Sequence, residues 1–133
     1  MAYVGKLYQH VSDENFEAFV KSLNLTEEQA TGFLNYKPDQ KLVKNGDTYT
    51  LTTTSTLNSR EVSFKDGVDF DETVVPGRVA KTTFTFNGNT LIQVQKYDDG
   101  VVITTKRDYS GDELTVTVQK NKDGPIAIRH YKA

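Results

Sequence analysis

Arg129 and Tyr131 stand two residues apart in the C-terminal segment IAIRHYKA, residues 126–133. The segment has the alternation of a β-strand, in which side chains two residues apart share a face. A guanidinium and a phenol hydroxyl on one face are hydrogen-bond donors that could hold an anion. However, Ile126 and Ile128 lie on the opposite face, and apolar side chains normally face the core. The pattern alone therefore places Arg129 in water, and an anion site requires further support.

The sequence offers little for metal or nucleophilic chemistry. It contains no cysteine, which excludes disulfides, a thiol nucleophile and thiolate metal sites. His10 and His130 are its two histidines, and such residues are more often ordinary strand or surface residues than ligands or catalytic bases. The carboxylates of Asp69, Asp71 and Glu72 stand beside a turn, where acidic side chains are usually solvated. We therefore expect no enzyme activity, no cofactor and no metal.

Length and charge predict a single domain over residues 1–133, which is long enough for a hydrophobic core. Lys and Arg total 16 against 18 Asp and Glu, and both signs are scattered along the chain, so no nucleic-acid surface is predicted. The first residues lack the pattern of a signal peptide, and no apolar run approaches the length of a membrane span. We expect a cytoplasmic monomer.

A regular series of turn signals predicts an all-β fold. Asn-Gly and Asp-Gly favour tight hairpin turns, because glycine, asparagine and aspartate tolerate the positive φ that these turns need. The segments between the turns are rich in Thr, Val, Ile, Phe and Tyr, as strands prefer. With a further strand at residues 5–11, ten strands are predicted. The turn signals are NG at 45–46, LNS at 57–59, DG at 66–67, PG at 76–77, NG at 87–88, DG at 99–100, SG at 110–111 and DG at 123–124.

Two short helices are predicted between the first and second strands. Residues 12–23 carry apolar side chains at helical spacing, with Ser12 or Asp13 as the N-cap. Residues 26–35 begin with a capping box formed by Thr26 and Gln29, and Pro38 stops the helical segment. Neither helix is long enough to be stable alone, so both must pack on the sheet.

The strand faces leave the architecture open between a closed barrel and two packed sheets, the usual ways to protect strand edges. In residues 90–97, Gln93 and Gln95 share a face with Leu91. A tightly packed sandwich tolerates few buried glutamines, whereas water in a roomy barrel can satisfy them. These glutamines could equally face solvent, so this pattern does not decide between the two folds.

Four motifs, in order along almost the whole chain, resemble the cytosolic fatty-acid-binding proteins, and the sequence looks most similar to insect midgut forms. Lys6 and Tyr8 replace the glycine and tryptophan typical of the first strand, and Tyr97 stands in another aromatic position. The motifs are KLYQHVSDENFEAFVKSL at 6–23, FKDGVDFDE at 64–72, LIQVQKYDDG at 91–100 and IRHYKA at 128–133.

The resemblance implies a ten-stranded antiparallel up-and-down β-clam barrel, with a two-helix lid between the first and second strands. It implies non-covalent binding and intracellular transport of a long-chain fatty acid or similar lipid. Arg129 and Tyr131 match the family's carboxylate-binding pair, and Arg107 matches its further arginine. Strand alternation is consistent with an inward Arg107, because Arg107 shares a strand face with Thr105 and Tyr109. We therefore expect Arg129 and Tyr131 to face the interior and the isoleucines to cover the outside.

The resemblance also implies a cavity and a portal at the second helix and two turns, and it permits transient membrane contact through the helical lid. Retinoids, bile acids and sterol-like molecules are alternative ligands. A small hydrolase, a lipocalin and an empty barrel that binds proteins are further alternatives. The predicted cavity and portal residues are Phe16, Phe19, Leu23, Phe33, Pro38, Thr53, Leu57, Val75, Pro76, Gln95, Thr105, Val116 and Val118.

Overall fold

A computed structural model describes residues 2–56, 59–74 and 78–133. Within these residues the chain forms ten β-strands and two α-helices, in the predicted order. The elements are β1 (Leu7–Glu14), α1 (Phe16–Lys21), α2 (Glu27–Asn35), β2 (Asp39–Asn45), β3 (Thr48–Thr54), β4 (Ser59–Phe64), β5 (Phe70–Val74), β6 (Arg78–Asn87), β7 (Thr90–Lys96), β8 (Val102–Ser110), β9 (Glu113–Lys120) and β10 (Ile126–Lys132).

The strands form one antiparallel sheet in the order β4-β3-β2-β1-β10-β9-β8-β7-β6-β5. Pairing of β1 with β10 joins the two ends of the chain, so the sheet curls into a nearly closed barrel with β4 and β5 as its end strands. The barrel and the position of the two helices between β1 and β2 are confirmed.

The predicted turns that lie within the described residues fall between consecutive strands. In the β6–β7 connection Gly88 has φ +61°, a left-handed conformation that side chains other than those of Asn and Asp rarely adopt. Gly124 is needed for a different reason, because a Cβ there would lie 2.2 Å from the carbonyl oxygen of Lys120. The predictions for Leu57, Val75 and Pro76 lie outside the described residues.

The prediction of a first helix over residues 12–23 is wrong at its beginning. Ser12 and Asp13 belong to β1, where they pair with β10, and the helix begins only at Phe16. Asn15 is the N-cap in the left-handed conformation, and its side chain donates to the carbonyl of Ile126 at 3.0 Å. The Asn15 side chain therefore makes no capping hydrogen bond to the helix and instead ties the beginning of α1 to β10.

The second helix agrees with the prediction. The Thr26 hydroxyl accepts from the Gln29 amide at 3.2 Å, and the Gln29 side chain accepts from the Thr26 amide at 3.1 Å. This is the predicted capping box. The helix ends at Asn35, and Tyr36 and the buried Pro38 lead into β2.

Apolar side chains form two separate clusters in the barrel. One lies under the helices and gathers residues of α1 with Val118 of β9 and Ala127 of β10. Each large side chain buried in it contributes about 1.5–3 kcal/mol, so packing, rather than helix propensity, holds the short helices in place. The other cluster comprises Tyr3, Tyr8, Leu42, Tyr49, Leu51, Phe64, Phe84, Leu91, Tyr109, Leu114, Val116 and Tyr131. No helix within the described parts of the chain is long and apolar enough to cross a membrane.

Candidate functional site

The inner face of the barrel carries polar side chains as well as the two apolar clusters. Gln93 and Gln95 of β7 are buried on the same face as Leu91, so the face whose direction the sequence left open points inward. Thr105 and Arg107 of β8 are buried on the neighbouring strand. The interior therefore contains hydrogen-bonding groups that an ordinary hydrophobic core would exclude.

The two predicted arginines lie in one cross-strand row. Val116 of β9 is the register partner of Arg107 on one side and of Arg129 on the other. Two strand spacings separate the backbones of the arginines by about 10 Å. Both side chains are buried, with 8% and 7% of Arg107 and Arg129 exposed, whereas Ile126 on the other face of β10 is 48% exposed. Alternation alone therefore gave the wrong face for Arg129, and the family pattern gave the right one.

Arg107 contacts amide oxygens and an aromatic ring. Its Nη1 donates to Gln93 Oε1 at 2.9 Å, and its Nε donates to Gln40 Oε1 at 3.4 Å. The ring of Phe84 lies 5.9 Å from the guanidinium carbon. Among the described residues none of its hydrogen bonds is to a carboxylate. Burial lowers the pKa of Arg107, while the nearby tyrosines and Glu72 act in the opposite direction.

Arg129 has a different set of contacts. Its Nε donates to Asp13 Oδ1 at 2.8 Å, and its Nη2 lies 3.5 Å from Asp13 Oδ2. The same Nη2 donates to the carbonyl oxygen of Tyr36 at 2.5 Å, and the guanidinium carbon lies 4.2 Å from the centre of the Phe16 ring. Arg129 thus joins β1, β10 and the segment after α2 through a charged pair, a carbonyl and a cation–π contact.

Asp13 faces inward because β1 contains a bulge. Tyr8 and His10 face inward, and simple alternation would make Ser12 the next inward residue. The register shifts between His10 and Ser12, so Asp13 faces inward instead. His10 Nε2 donates to Asp13 Oδ1 at 2.7 Å. Burial opposes ionisation of Asp13, but hydrogen bonds and charge from Arg129 and His10 outweigh it and lower its pKa. Sequence alternation gave no signal for this carboxylate.

Tyr131, the third predicted anion-binding residue, is 3% exposed. Burial raises the pKa of its phenol, although Arg129, a hydrogen bond with Gln40 and Arg107 act against that rise. The phenol is therefore neutral at physiological pH and keeps its proton as a donor. The ring of His10 meets the Tyr131 ring edge-on, with the centroids 5.4 Å apart.

The expectation that Glu72 is solvated is wrong. Glu72 is 4% exposed, and it accepts hydrogen bonds from Thr82 at 2.8 Å and from Gln95 at 3.1 Å. Arg60 of β4 donates to its other oxygen at 2.5 Å, across the two end strands of the sheet. Glu72 lies two residues after Phe70, and side chains two apart in a strand share a face. Because the Phe70 ring packs on the core, this spacing indicates that Glu72 also faces inward.

Comparisons with known proteins agree with this architecture. The lipocalin and cytosolic fatty-acid binding protein family matches residues 6–123. Fatty acid-binding protein 1 of Manduca sexta is 44% identical over 133 residues, 100% of each chain. A solved fatty-acid-binding protein from Manduca sexta has a TM-score of 0.88 at 40% identity, over 98% of this chain and 99% of that one. The chain belongs to the lipocalin and cytosolic fatty-acid-binding protein family.

A further solved relative within this fatty-acid-binding protein family is the Schistosoma mansoni protein in complex with arachidonic acid. It has a TM-score of 0.88 at 26% identity and covers 98% of this chain and 95% of its own. The two proteins share the barrel fold, and in this family member the inward side chains line the space that the sheet encloses.

The weaker site predictions for this fatty-acid-binding protein family member fall into three groups. Phe16, Phe19 and Val118 are buried in the cluster under the helices, and Leu23 and Phe33 pack against it. Val116 belongs to the other apolar cluster. Gln95 is buried on β7 and Thr105 on β8, and Pro38 is buried in the segment between α2 and β2. Thr53 is half-buried and accepts from the Tyr36 hydroxyl at 3.2 Å. Their contact with a ligand stays a prediction.

Proposed function

We propose that this protein binds a long-chain fatty acid non-covalently inside its barrel and transports it within the cell. The observation that carries the proposal is Arg107, a buried guanidinium whose hydrogen-bond partners are the amides of Gln40 and Gln93. Among the described contacts no carboxylate accepts directly from Arg107; a buried cation in that position is costly, and a ligand carboxylate would relieve the cost. The relatives' names supply the ligand class, since they are called fatty acid-binding proteins.

The carboxylate site of this proposal consists of Arg107, Tyr131 and Arg129. Arginine presents a planar fork that suits a carboxylate, and the neutral Tyr131 hydroxyl adds a donor. A charge-assisted hydrogen bond of this kind contributes about 1.5–3 kcal/mol. It therefore orients the ligand more than it determines the total affinity.

The acyl chain supplies most of the binding free energy. At about 0.8 kcal/mol per methylene, a sixteen-carbon chain gains on the order of 11 kcal/mol when it leaves water. Lost translational and rotational freedom reduces this gain, which leaves a dissociation constant between about nanomolar and micromolar. The apolar side chains of the cluster under the helices offer a suitable surface for such a chain.

We propose a cytoplasmic monomer that makes transient membrane contact through its helical lid, has no enzyme activity and binds no nucleic acid. The net charge of −2 supports the last point, because nucleic-acid binders usually carry a basic surface. Turnover of ester substrates would contradict the carrier function, and light scattering would test the monomer.

The decisive experiment compares oleate with oleyl alcohol, which has the same chain and no charge. Arg107→Gln should weaken oleate binding by about tenfold or more and leave oleyl alcohol binding within about twofold, because one charged hydrogen bond is lost. Lys106→Gln is the matched control, since Lys106 is the exposed neighbour on the outer face of β8. Displacement of a fluorescent fatty acid measures both affinities.

Equal losses for both ligands would contradict the carboxylate site, and failure of oleate to displace the fluorescent fatty acid would contradict the function. Mass spectrometry of lipid extracted from freshly purified protein tests the ligand class directly. A retinoid, bile acid or sterol-like molecule in that extract, in place of a fatty acid, would replace the proposed ligand.

A further inference from the structure

We propose that Asp13 determines where a ligand carboxylate binds: it occupies Arg129 as an internal carboxylate and thereby directs the ligand to Arg107. This inference rests on the proposed function and goes beyond it, because it assigns unequal roles to the two arginines. It makes Asp13 a positioning residue that acts through Arg129 and need not contact the ligand.

The Asp13 carboxylate covers one side of the Arg129 guanidinium. Asp13 and Arg129 are direct register partners on β1 and β10, and both side chains face inward, with 18% of the Asp13 side chain exposed. Asp13 Oδ1 accepts from Arg129 Nε at 2.8 Å while Oδ2 lies 3.5 Å from Nη2. The carboxylate therefore faces the side of the guanidinium that presents Nε and Nη2, which is a side that a ligand carboxylate would use.

The other contacts of Arg129 hold it in this orientation. Nη2 also donates to the carbonyl oxygen of Tyr36, and the Phe16 ring lies against the flat face of the guanidinium. A ligand that bound Arg129 would have to displace Asp13 and leave a carboxylate without its partner in a site that is largely closed to water. That exchange replaces one carboxylate by another and gains little.

Arg107 offers the opposite situation. It lies in the same cross-strand row, two strands from Arg129, and its partners are the neutral amides of Gln40 and Gln93. Glu72 accepts from Gln93 and its charge acts on Arg107, but no carboxylate accepts directly from the Arg107 guanidinium among the described contacts, so an incoming carboxylate adds a direct partner there. The ligand carboxylate therefore gains more at Arg107 than at Arg129.

The contact between Asp13 and Arg129 depends on the bulge in β1. Without the shift between His10 and Ser12, alternation would turn Asp13 outward. With it, Asp13 reaches Arg129, and His10 donates a second hydrogen bond to Asp13 Oδ1. His10, another inward residue of β1, thus supports the Asp13 carboxylate opposite Arg129.

The test is a double-mutant comparison with oleate and oleyl alcohol. In the unmodified protein Arg107→Gln should cost about tenfold in oleate affinity. Asp13→Asn keeps the shape but removes the charge, so Arg129 becomes available, and Arg107→Gln in that background should cost less than about threefold. Asp13→Asn alone should strengthen oleate binding severalfold and leave oleyl alcohol binding unchanged.

Glu14→Gln is the matched control, because Glu14 is the adjacent carboxylate and pairs with His130 on the outer face. In this background the tenfold cost of Arg107→Gln should remain. If the cost stays tenfold with Asp13→Asn, the proposed function stands and the role of Asp13 is overturned. If Arg107→Gln costs nothing in the unmodified protein, the carboxylate site itself fails.

A measurement on the unmodified protein decides the question even if Asp13→Asn does not fold. Oleate should shift the ¹⁵Nε resonance of Arg107 more than that of Arg129, with assignments from the two Arg→Gln variants. A shift of the Arg129 resonance larger than that of Arg107 would overturn the proposal.

Discussion

The environments of Arg107 and Arg129 differ although the two residues share a cross-strand row and a similar degree of burial. Arg129 has a carboxylate, a carbonyl and an aromatic ring around it, whereas Arg107 has two amides and a more distant ring. Burial alone therefore does not show which cation is available to a ligand. The partners decide, because a buried cation that already has a carboxylate partner gains little from an incoming anion, whereas one without such a partner gains more.

The largest effect that we expect comes from Arg129→Met. It leaves Asp13 largely buried without its strongest partner, and breaking a buried pair in this way costs about 3 kcal/mol, the lower end of the usual range. Urea denaturation measures the loss in the free energy of unfolding. A loss below about 0.5 kcal/mol, typical of a surface substitution, would remove the distinction between the two arginines.

Arg107→Met should act in the opposite direction on stability. It removes a buried charge without a carboxylate partner among the described residues and fills the same space with an apolar chain. We expect the free energy of unfolding to rise by about 1–2 kcal/mol, while oleate binding weakens. Destabilisation as large as that of Arg129→Met, in the same urea titration, would contradict the comparison.

The pH dependence of stability should depend on Asp13 and its pairing with Arg129. The pKa of Asp13 in the folded protein is below its ordinary value of 3.8, so the unfolded chain binds its proton more readily. The stability that this carboxylate contributes is therefore complete above about pH 5 and is lost as the pH falls through about 4 and below.

The difference in the free energy of unfolding between the unmodified protein and Asp13→Asn should accordingly shrink between about pH 5 and pH 3. Arg107→Met is the control, because this variant keeps both Asp13 and Arg129. The difference in the free energy of unfolding between Arg107→Met and Asp13→Asn should change with pH in the same way, because Arg107 has no hydrogen bond to Asp13 among the described contacts. A difference that stays constant over this range would contradict the assigned pairing.

The smallest effect concerns Thr26, which caps the helix that leads to Tyr36. Thr26→Ala removes the capping box and should cost about 1 kcal/mol, whereas Thr26→Ser keeps the hydroxyl and most of the stability. Because the Tyr36 carbonyl holds Arg129, the Nε–H of Arg129 should exchange faster with water and that of Arg107 should not. Equal acceleration at both arginines, measured by NMR, would contradict a separate role for Arg129.

The sequence predicted the repeating elements of the fold well. Strand composition and Asn-Gly or Asp-Gly turns gave the strand number and most connections, and Thr26 with Gln29 gave the beginning of α2. The prediction for the first helix failed, because Ser12 and Asp13 resemble helix caps locally but pair with β10. Local patterns report local hydrogen bonding, and β10 lies more than a hundred residues away in the chain.

For the candidate site, the sequence predicted the anion-binding side chains but not their partners in the folded protein. Arg107, Arg129 and Tyr131 came from a family resemblance supported by parity, and all three are buried inside the barrel. The partners that distinguish the two arginines, such as Asp13 and Gln40, were not predicted. No spacing rule connects residue 13 with residue 129.

By itself the sequence determined the strand rhythm, the turn positions and the chemical types available, because these depend on neighbouring residues along the chain. Only the tertiary structure decided which face of IAIRHYKA is inside, since alternation serves either face and the closure of the barrel selects one. It also decided that the bulge in β1 turns Asp13 toward Arg129, whereas Arg107 faces amides. The physical reason is that the free energy of a buried charge depends on the groups that folding brings beside it.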